Sequence, residues 1–480
     1  MERTLVENTV ELLGEKVLLQ GWAQNIRTMG KIAFIELRDR SGDVQCVAYM
    51  PDFETNGTNE IKETTMESAI EIIGEVKQRP EKQINKDKKT GGVEIEIKEF
   101  RLLNKSEGLP IPVAGDGYDI NENARLKYRY LDLRRERLQK NLRSRSKLID
   151  ALRQELFQKD FVEVETPLLT YSTKEGARDF VVPSRMNPGN FYALPQSPQQ
   201  YKQLLMTAGI ERYFQVAKCI RDENLRADRG FEFTQLDLEM SFVDREMVMN
   251  TVEEAVKNSM KKVGGVLKDE KFPVFTYKEA QEKFGADKFD LRTEEEKEKG
   301  ILAFAWVVDF PFFKRVDKED AAEVEDGKSG WTFTHNPFSA SKEEFLDDHL
   351  NRKNIENILT PQHDLVCNGY EVGGGGIRAH TAEMVEATYK IMGYSEEEIK
   401  ESIGHMLKAF RLGTPPHGGI ALGIDRLVML LNNESSLKET IAFPMTYNGH
   451  TAVMDGPSEL SEKQLKELHL KKKFIEISYT

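Results

Sequence analysis

The hydrophobic rhythm of the chain changes once, near residue 105. Before that point apolar and polar residues alternate in short runs, at 17–23, 32–39, 43–49, 69–76 and 93–97. Alternation of period two marks half-buried strands, and Gly30-Lys31 and Ser41-Gly42 supply turns between them. Five short strands with such turns predict a small β-barrel of the OB type over residues 1–105. Barrels of this kind bind single strands by stacking bases on exposed aromatics. Residues 106–140 read as a hinge or linker that opens on Leu109-Pro110-Ile111-Pro112.

From 141 to 480 the pattern is mixed. Residues 143–159 and 247–262 show helical spacing, residues 161–167 read as a strand stopped by Pro167, and residues 305–310 are apolar enough for a buried strand. Tyr213-Phe214-Gln215-Val216-Ala217 and the alternating run 231–239 predict two antiparallel strands joined by a charged loop. The fold class expected is α+β, with an antiparallel-sheet domain and flanking helices behind the barrel.

At 480 residues the chain exceeds a single core, which supports two or three domains. No apolar run is long enough to span a bilayer, and the first residues lack the basic start and apolar core of a signal peptide. Cys46, Cys219 and Cys367 are scattered and odd in number, with no metal spacing, so a reducing cytoplasm is expected. A net charge of −13 argues against indiscriminate nucleic-acid binding but leaves room for a local basic face. The run 125–137, with six Arg or Lys residues, is either such a face or a solvated, salt-bridged helix.

Chemistry concentrates in the charged loop. Arg221 opens Arg221-Asp222-Glu223-Asn224-Leu225-Arg226-Ala227-Asp228-Arg229, where a planar guanidinium suits phosphate or carboxylate, and Phe233 at its exit suits stacking on a flat ring. Asp364 and Glu371 stand near the ends of an apolar stretch, where buried acids need cations, either a salt-bridge partner or magnesium on phosphates. Gly413 to Arg426 is a glycine-rich strand and turn that allows close approach to a nucleotide, with Arg426 at the start of a helix.

These segments resemble motifs 2 and 3 of class II aminoacyl-tRNA synthetases in their aspartyl form, and residues 161–167 resemble motif 1, which builds the dimer interface in that family. The resemblance covers nearly the whole chain. It implies ATP-dependent ligation of L-aspartate to tRNA-Asp through an aspartyl-adenylate, with the alternative of an enzyme that charges both tRNA-Asp and tRNA-Asn. It implies ATP and Mg2+, a cytoplasmic homodimer, and no membrane. It places Arg221 and Arg426 in catalysis on the phosphates, and Glu223, Phe233, Gln235 and Glu371 with ATP. Asp364 and Glu371 would hold magnesium. Glu175, Gln199, Lys202, Asp237, His335 and Arg378 would hold aspartate, with Lys202 and Arg378 on its side-chain carboxylate. Two buried cations favour an anionic side chain over a neutral amide. In the barrel, Phe34, Gln45 and Glu94 would read the anticodon.

The chain also departs from that family. A domain of roughly a hundred residues, usual between motifs 2 and 3 of bacterial members, is reduced to a charged bridge near 293–300. His335-Asn336 replaces a histidine pair, Gly376 stands where serine is common, Met445 where lysine often stands, and the basic cluster after Trp22 is thinned to Gln24-Asn25-Ile26-Arg27. A rival from another class, a non-catalytic RNA-binding paralogue, would have damaged motif arginines, yet Arg221, Arg378 and Arg426 are all present.

Overall fold

Alternating burial closes the first five strands into a barrel. They are β1 (Lys16–Met29), β2 (Ile32–Arg38), β3 (Asp43–Tyr49), β4 (Ala69–Gln78) and β5 (Val93–Asn104), in the order β1-β2-β3-β5-β4. Every second residue of β2 and β3 points inward, so that Ala33, Ile35, Leu37, Val44, Cys46 and Ala48 join Leu19, Ile72 and Ile95 in one core. β1 runs six residues further than its alternation predicts, through an irregularity between Ala23 and Asn25. Bulges of that kind increase local twist, which a closing barrel needs. Gly74 is required where β4 meets β5, since a Cβ there would lie 2.5 Å from Ile95 Cγ2.

The computed structural model describes residues 1–54, 59–172, 176–319 and 321–471. It forms two compact units, Met1–Pro112 and Val113–Thr480. Residues 113–140, expected within a hinge, fall in the second unit.

That unit is built on an eight-stranded sheet. Its strands are β6 (Val162–Glu163), β7 (Arg212–Ile220), β8 (Glu232–Ser241), β9 (Val274–Thr276), β10 (Phe304–Val308), β11 (His363–Cys367), β12 (Tyr370–Ile377) and β13 (His417–Gly423). The order is β9-β10-β11-β12-β13-β8-β7-β6, antiparallel through the six central strands and parallel at both outer pairs. The segment 161–167 contributes only the two residues of β6. Helices α1 (Glu136–Phe157), α2 (Gln199–Thr207), α3 (Arg245–Lys262) and α4 (Ile424–Leu431) follow the apolar spacing of the sequence. Leu148, Leu152 and Leu156 of α1, Val248, Val252 and Val256 of α3, and Leu427 and Val428 of α4 pack with Leu236, Leu238, Leu365 and Leu422 of the sheet. One face of the sheet is thus filled with hydrocarbon, and the pleat sends the alternate side chains of β8 to the other face. The bridge near 293–300 is a short helix, Glu294–Glu298, capped reciprocally by Thr293 and Glu296 and tied by Glu296 to Lys268 at 2.7 Å. No helix of the described residues is long and apolar enough to cross a membrane.

The run 125–137 is salt-bridged, as the second sequence reading has it, but buried where both readings expect it exposed: Arg125, Arg129 and Arg135 are buried around the fully buried Asp132. Arg129 and Arg135 each reach it at 2.7 Å, and Arg125 Nε lies 3.1 Å from both of its oxygens. Arg125 also pairs with Glu439 at 2.7 Å. The acids that neutralise these arginines come partly from a segment three hundred residues away, which no local pattern reveals.

Candidate active site

The face of β8 away from the helices carries Phe233, Gln235, Asp237 and Glu239 at every second position. Opposite them in β13 stand Gly423 against Gln235, Ala421 against Asp237 and Gly419 against Glu239. Small residues are needed there: a Cβ on Gly419 would lie 2.5 Å from Glu239 Oε2 and 2.0 Å from the Leu238 carbonyl. Lys202 reaches into this space from α2, with Nζ 2.6 Å from Asp237 Oδ1 and 3.0 Å from Glu239 Oε2. Arg378, just past β12, donates from Nε to Glu239 Oε1 at 3.3 Å. All four side chains are at least 96% buried. Two cations therefore balance two carboxylates in a low-dielectric site. Burial pushes the Asp237 carboxyl above its ordinary range. Burial pushes Glu239 the same way, but Lys202 and Arg378 together hold it below. Asp237 Oδ2 is buried without a hydrogen-bond partner. At the start of α2, Gln199 donates to Gln203 at 3.0 Å, and Gln203 meets His417 at 3.0 Å.

The hairpin of β7 and β8 brings Arg221 beside Phe233, its guanidinium carbon 4.9 Å from the ring centre. Arg221 Nε also donates to the Gln196 carbonyl at 3.2 Å. Glu223 pairs with Arg229 at 3.4 Å, and Gln235 accepts from Cys219 Sγ at 3.2 Å. Arg426, in the first turn of α4, donates to the Glu371 carbonyl at 2.7 Å and meets Asp228 Oδ2 at 3.3 Å.

Asp364 on β11 and Glu371 on β12 face a glycine cradle. A Cβ on Gly374 would lie 3.2 Å from Glu371 Oε1 and 3.5 Å from Asp364 Oδ1. Asp364 accepts from Gln362 Nε2 at 2.7 Å and meets His335 Nε2 at 3.1 Å. Burial raises the Asp364 carboxyl. For His335 burial favours the neutral ring, but the Asp364 carboxylate outweighs it and raises the imidazole above its ordinary value. Glu371 Oε2 lies 2.9 Å from Lys288 Nζ. Against the effect of burial, Lys288 and Arg426 bring the Glu371 carboxyl down to about 2.

One cavity of about 290 Å³ is lined by Gln199, Lys202, Arg221, Glu223, Phe233, Gln235, Asp237, His335, Glu371, Arg378 and Arg426. The structure thus brings together the residues expected for aspartate and ATP, and Asp364 stands behind His335 and Gln362. Glu175 lies outside the described residues. Sequence reasoning missed Glu239, Lys288 and Gln362. Glu239 carried a readable signal, being two residues beyond Asp237 in the same alternation. Lys288 carried none. Among the described residues no group of three or more His, Cys, Asp or Glu forms a metal cage. Magnesium needs none when phosphates and waters complete its oxygen ligands.

In the barrel unit, Phe34 is half-buried, paired across the sheet with Arg27 and Val47. Gln45 donates to Glu94 Oε2 at 2.9 Å and accepts from Arg79 at 3.3 Å. Phe34, Gln45, Arg27 and Arg79 line a cavity of about 340 Å³. Arg79, which the sequence did not single out, lines it beside Gln45 and lies 3.9 Å from Glu94.

Residues 121–447 match the model of class II tRNA synthetases (D, K and N), and residues 17–103 match that of the OB-fold nucleic acid binding domain. An aspartate–tRNA ligase of Staphylococcus saprophyticus is 37% identical, covering 96% of this chain and 98% of its own length. This chain is a class II tRNA synthetase of the aspartate–tRNA ligase family. The synthetase aligns with that relative over 577 positions, more than its own 480 residues, so the relative carries segments that this synthetase lacks. An aspartate–tRNA(Asp/Asn) ligase of Natranaerobius thermophilus is also 37% identical, covering 97% of this chain and 98% of its own length. The fold of the synthetase is also that of asparaginyl-tRNA synthetase from Pyrococcus horikoshii, at TM-score 0.73 and 21% identity, covering 93% of this chain and 98% of that one.

Proposed function

We propose that this synthetase ligates L-aspartate to tRNA-Asp in two steps within the cavity described above. The pair of buried cations, Lys202 and Arg378, carries the reading. They suit the side-chain carboxylate of aspartate, whereas the amide of asparagine would leave them without an added anion. Asp237, with an oxygen that lacks a partner, suits the α-ammonium. Phe233 offers its face to adenine, and Arg221 and Arg426 offer guanidinium groups to the phosphates. In the first step an α-carboxylate oxygen of aspartate attacks the α-phosphorus of ATP, and the bond to the β-phosphate breaks to release pyrophosphate. In the second, a terminal hydroxyl of the tRNA attacks the acyl carbon and AMP leaves. The protein positions and neutralises charge and supplies no nucleophile.

Asp364 and Glu371 fit magnesium in that each has a carboxylate oxygen within 3.5 Å of the space a Cβ on Gly374 would fill, and Asp364 would share its oxygens with Gln362 and His335. The ion would screen phosphate charge while Arg221 and Arg426 orient the phosphates.

Aspartate-dependent ATP–pyrophosphate exchange tests the reading, with asparagine as control. Equal exchange with both amino acids would reject the role given to Lys202 and Arg378. Arg221→Ala is expected to lower the exchange rate on the order of 10²-fold, the size of one lost charge-stabilising donor. Its circular dichroism should not change, because among the described residues the Arg221 side chain has a single backbone anchor and one aromatic neighbour.

A second reading, charging of both tRNA-Asp and tRNA-Asn, is favoured by the likeness to the Natranaerobius enzyme. Charging assays with the two purified tRNAs separate the readings. In either case Phe34→Ala should raise KM for tRNA by roughly 5- to 100-fold, the worth of one base–aromatic stack, and leave exchange untouched. A Phe34→Ala enzyme with unchanged KM would remove the barrel cavity from RNA recognition.

We also assign a second copy of the chain as the cover for Phe157, Val162, Leu168 and Leu169, each 46% or more exposed. Sedimentation is expected to give a dimer, and a monomer at micromolar concentration would reject it.

A further inference from the structure

Two lysines enter the cavity, and their surroundings differ. Lys202 is 2% exposed and bound to two carboxylates, so it is fixed. Lys288 has a side chain 46% exposed and bound to one carboxylate, Glu371 Oε2, at 2.9 Å. The other oxygen of Glu371 faces the glycine cradle shared with Asp364. The backbone carbonyl of Glu371 is taken by Arg426. Glu371 therefore presents one oxygen to the cradle and one to a lysine on a flexible four-carbon stem.

We propose that Lys288 is a resident counter-cation that competes with the divalent ion for Glu371 and moves off when the ion arrives. This rests on the assignment of Asp364 and Glu371 to magnesium. The physical argument is about charge. Glu371 stands near Asp364 across the Gly374 cradle, and two neighbouring carboxylates repel each other. Lys288 offsets that repulsion and holds Glu371 aimed at the cradle. A divalent ion supplies more charge at the same oxygens, so the ion and the ammonium exclude each other there. An ammonium releases such a contact more readily than a bidentate guanidinium does, because it is a point charge on a mobile chain. Once displaced, Lys288 remains at the cavity wall, where a triphosphate needs cations. Lys288 is thus a positioning residue, acting through Glu371.

The test is Mn2+ binding to the full-length protein, followed by electron paramagnetic resonance of free Mn2+, without nucleotide and with a non-hydrolysable ATP analogue. Wild type, Lys288→Met and Lys288→Arg are compared, with thermal melting as the check on folding. Without nucleotide, Lys288→Met is expected to bind Mn2+ roughly fivefold more tightly than wild type, the worth of a half-exposed ion pair. Lys288→Arg should bind no more tightly than wild type. Unchanged or weaker Mn2+ binding by Lys288→Met would overturn the proposal. If wild type with the analogue binds no Mn2+ beyond what free analogue takes up, the magnesium assignment itself fails, which is a different result from an unaltered variant.

Discussion

Lys202→Met is expected to cut aspartate-dependent exchange by on the order of 10³-fold and to lower stability by about 3–5 kcal/mol, the cost of removing one partner from a buried ion pair. Two effects combine. The variant leaves Asp237 and Glu239 buried with Arg378 alone, and Arg378 reaches only Glu239. Asp237, whose carboxyl burial already pushes up, would then take a proton, which removes the charge that suits an α-ammonium. The variant also removes one of the two cations proposed to face an aspartate carboxylate. A double variant separates the effects. Lys202→Met with Glu239→Gln deletes one charge of each sign, so part of the lost melting temperature should return while exchange stays low. Thermal melting read beside exchange makes the comparison. Wild-type exchange and an unaltered KM for aspartate in Lys202→Met would show that the substrate carboxylate is held elsewhere.

The same group of charges sets the selectivity proposed for the site. Lys202, Arg378, Asp237 and Glu239 sum to zero before substrate enters. A neutral amide gives the cations nothing that Asp237 and Glu239 do not already supply. A carboxylate adds a charge-assisted partner for each of them. Glu239 is central to this arrangement because it touches both cations, and a Cβ at Gly419 would collide with it. Selectivity of this kind depends on the backbone of β13 as much as on the named side chains.

Much of this was legible in the sequence, for identifiable reasons. The barrel strands followed from alternation, because each has one wet and one dry face. Residues 43–49 emerged with the expected bounds as β3. The hairpin of β7 and β8 was legible because a charged loop interrupts two alternating runs. Where both faces are covered, as in β11 and β12, alternation is lost and only the acids and the glycine run marked the place. Lys288 was illegible because its partner is eighty-three residues away, and nothing in Asp287-Lys288-Phe289 distinguishes it from a solvated lysine. Segment 161–167 looked like a full strand by composition, yet pairs with β7 over two residues only. The charged run 125–137 misled most, since a list of local charges omits the acids that the fold delivers to it.

That run carries the second large effect. Asp132→Ala is expected to destabilise the second unit by about 4 kcal/mol or more and to reduce the yield of folded protein sharply. Asp132 is fully buried and accepts from Arg125, Arg129 and Arg135 at 2.7–3.1 Å. Without it, three guanidinium groups share a buried site in which Glu439 is the remaining acid that Arg125 reaches. Main-chain carbonyls soften the loss, since Arg129 also donates to Lys438, Ile441 and Ala442, but carbonyl dipoles do not cancel net charge. Those carbonyls belong to the segment that follows α4, and the neighbouring Leu437 N–H donates to Ala227 of the charged loop at 3.0 Å. Loosening it should therefore reach Arg426 and the loop as well as the core. The sign with pH is fixed. Burial raises the Asp132 carboxyl, but the arginines outweigh it and hold it below its ordinary range. Its contribution is then complete through neutral pH and fades only as pH falls below that range. Urea unfolding of wild type and Asp132→Ala at pH 7 and pH 3 makes the measurement. A midpoint in Asp132→Ala equal to that of wild type at pH 7 would mean that the carbonyls alone suffice to hold the arginines.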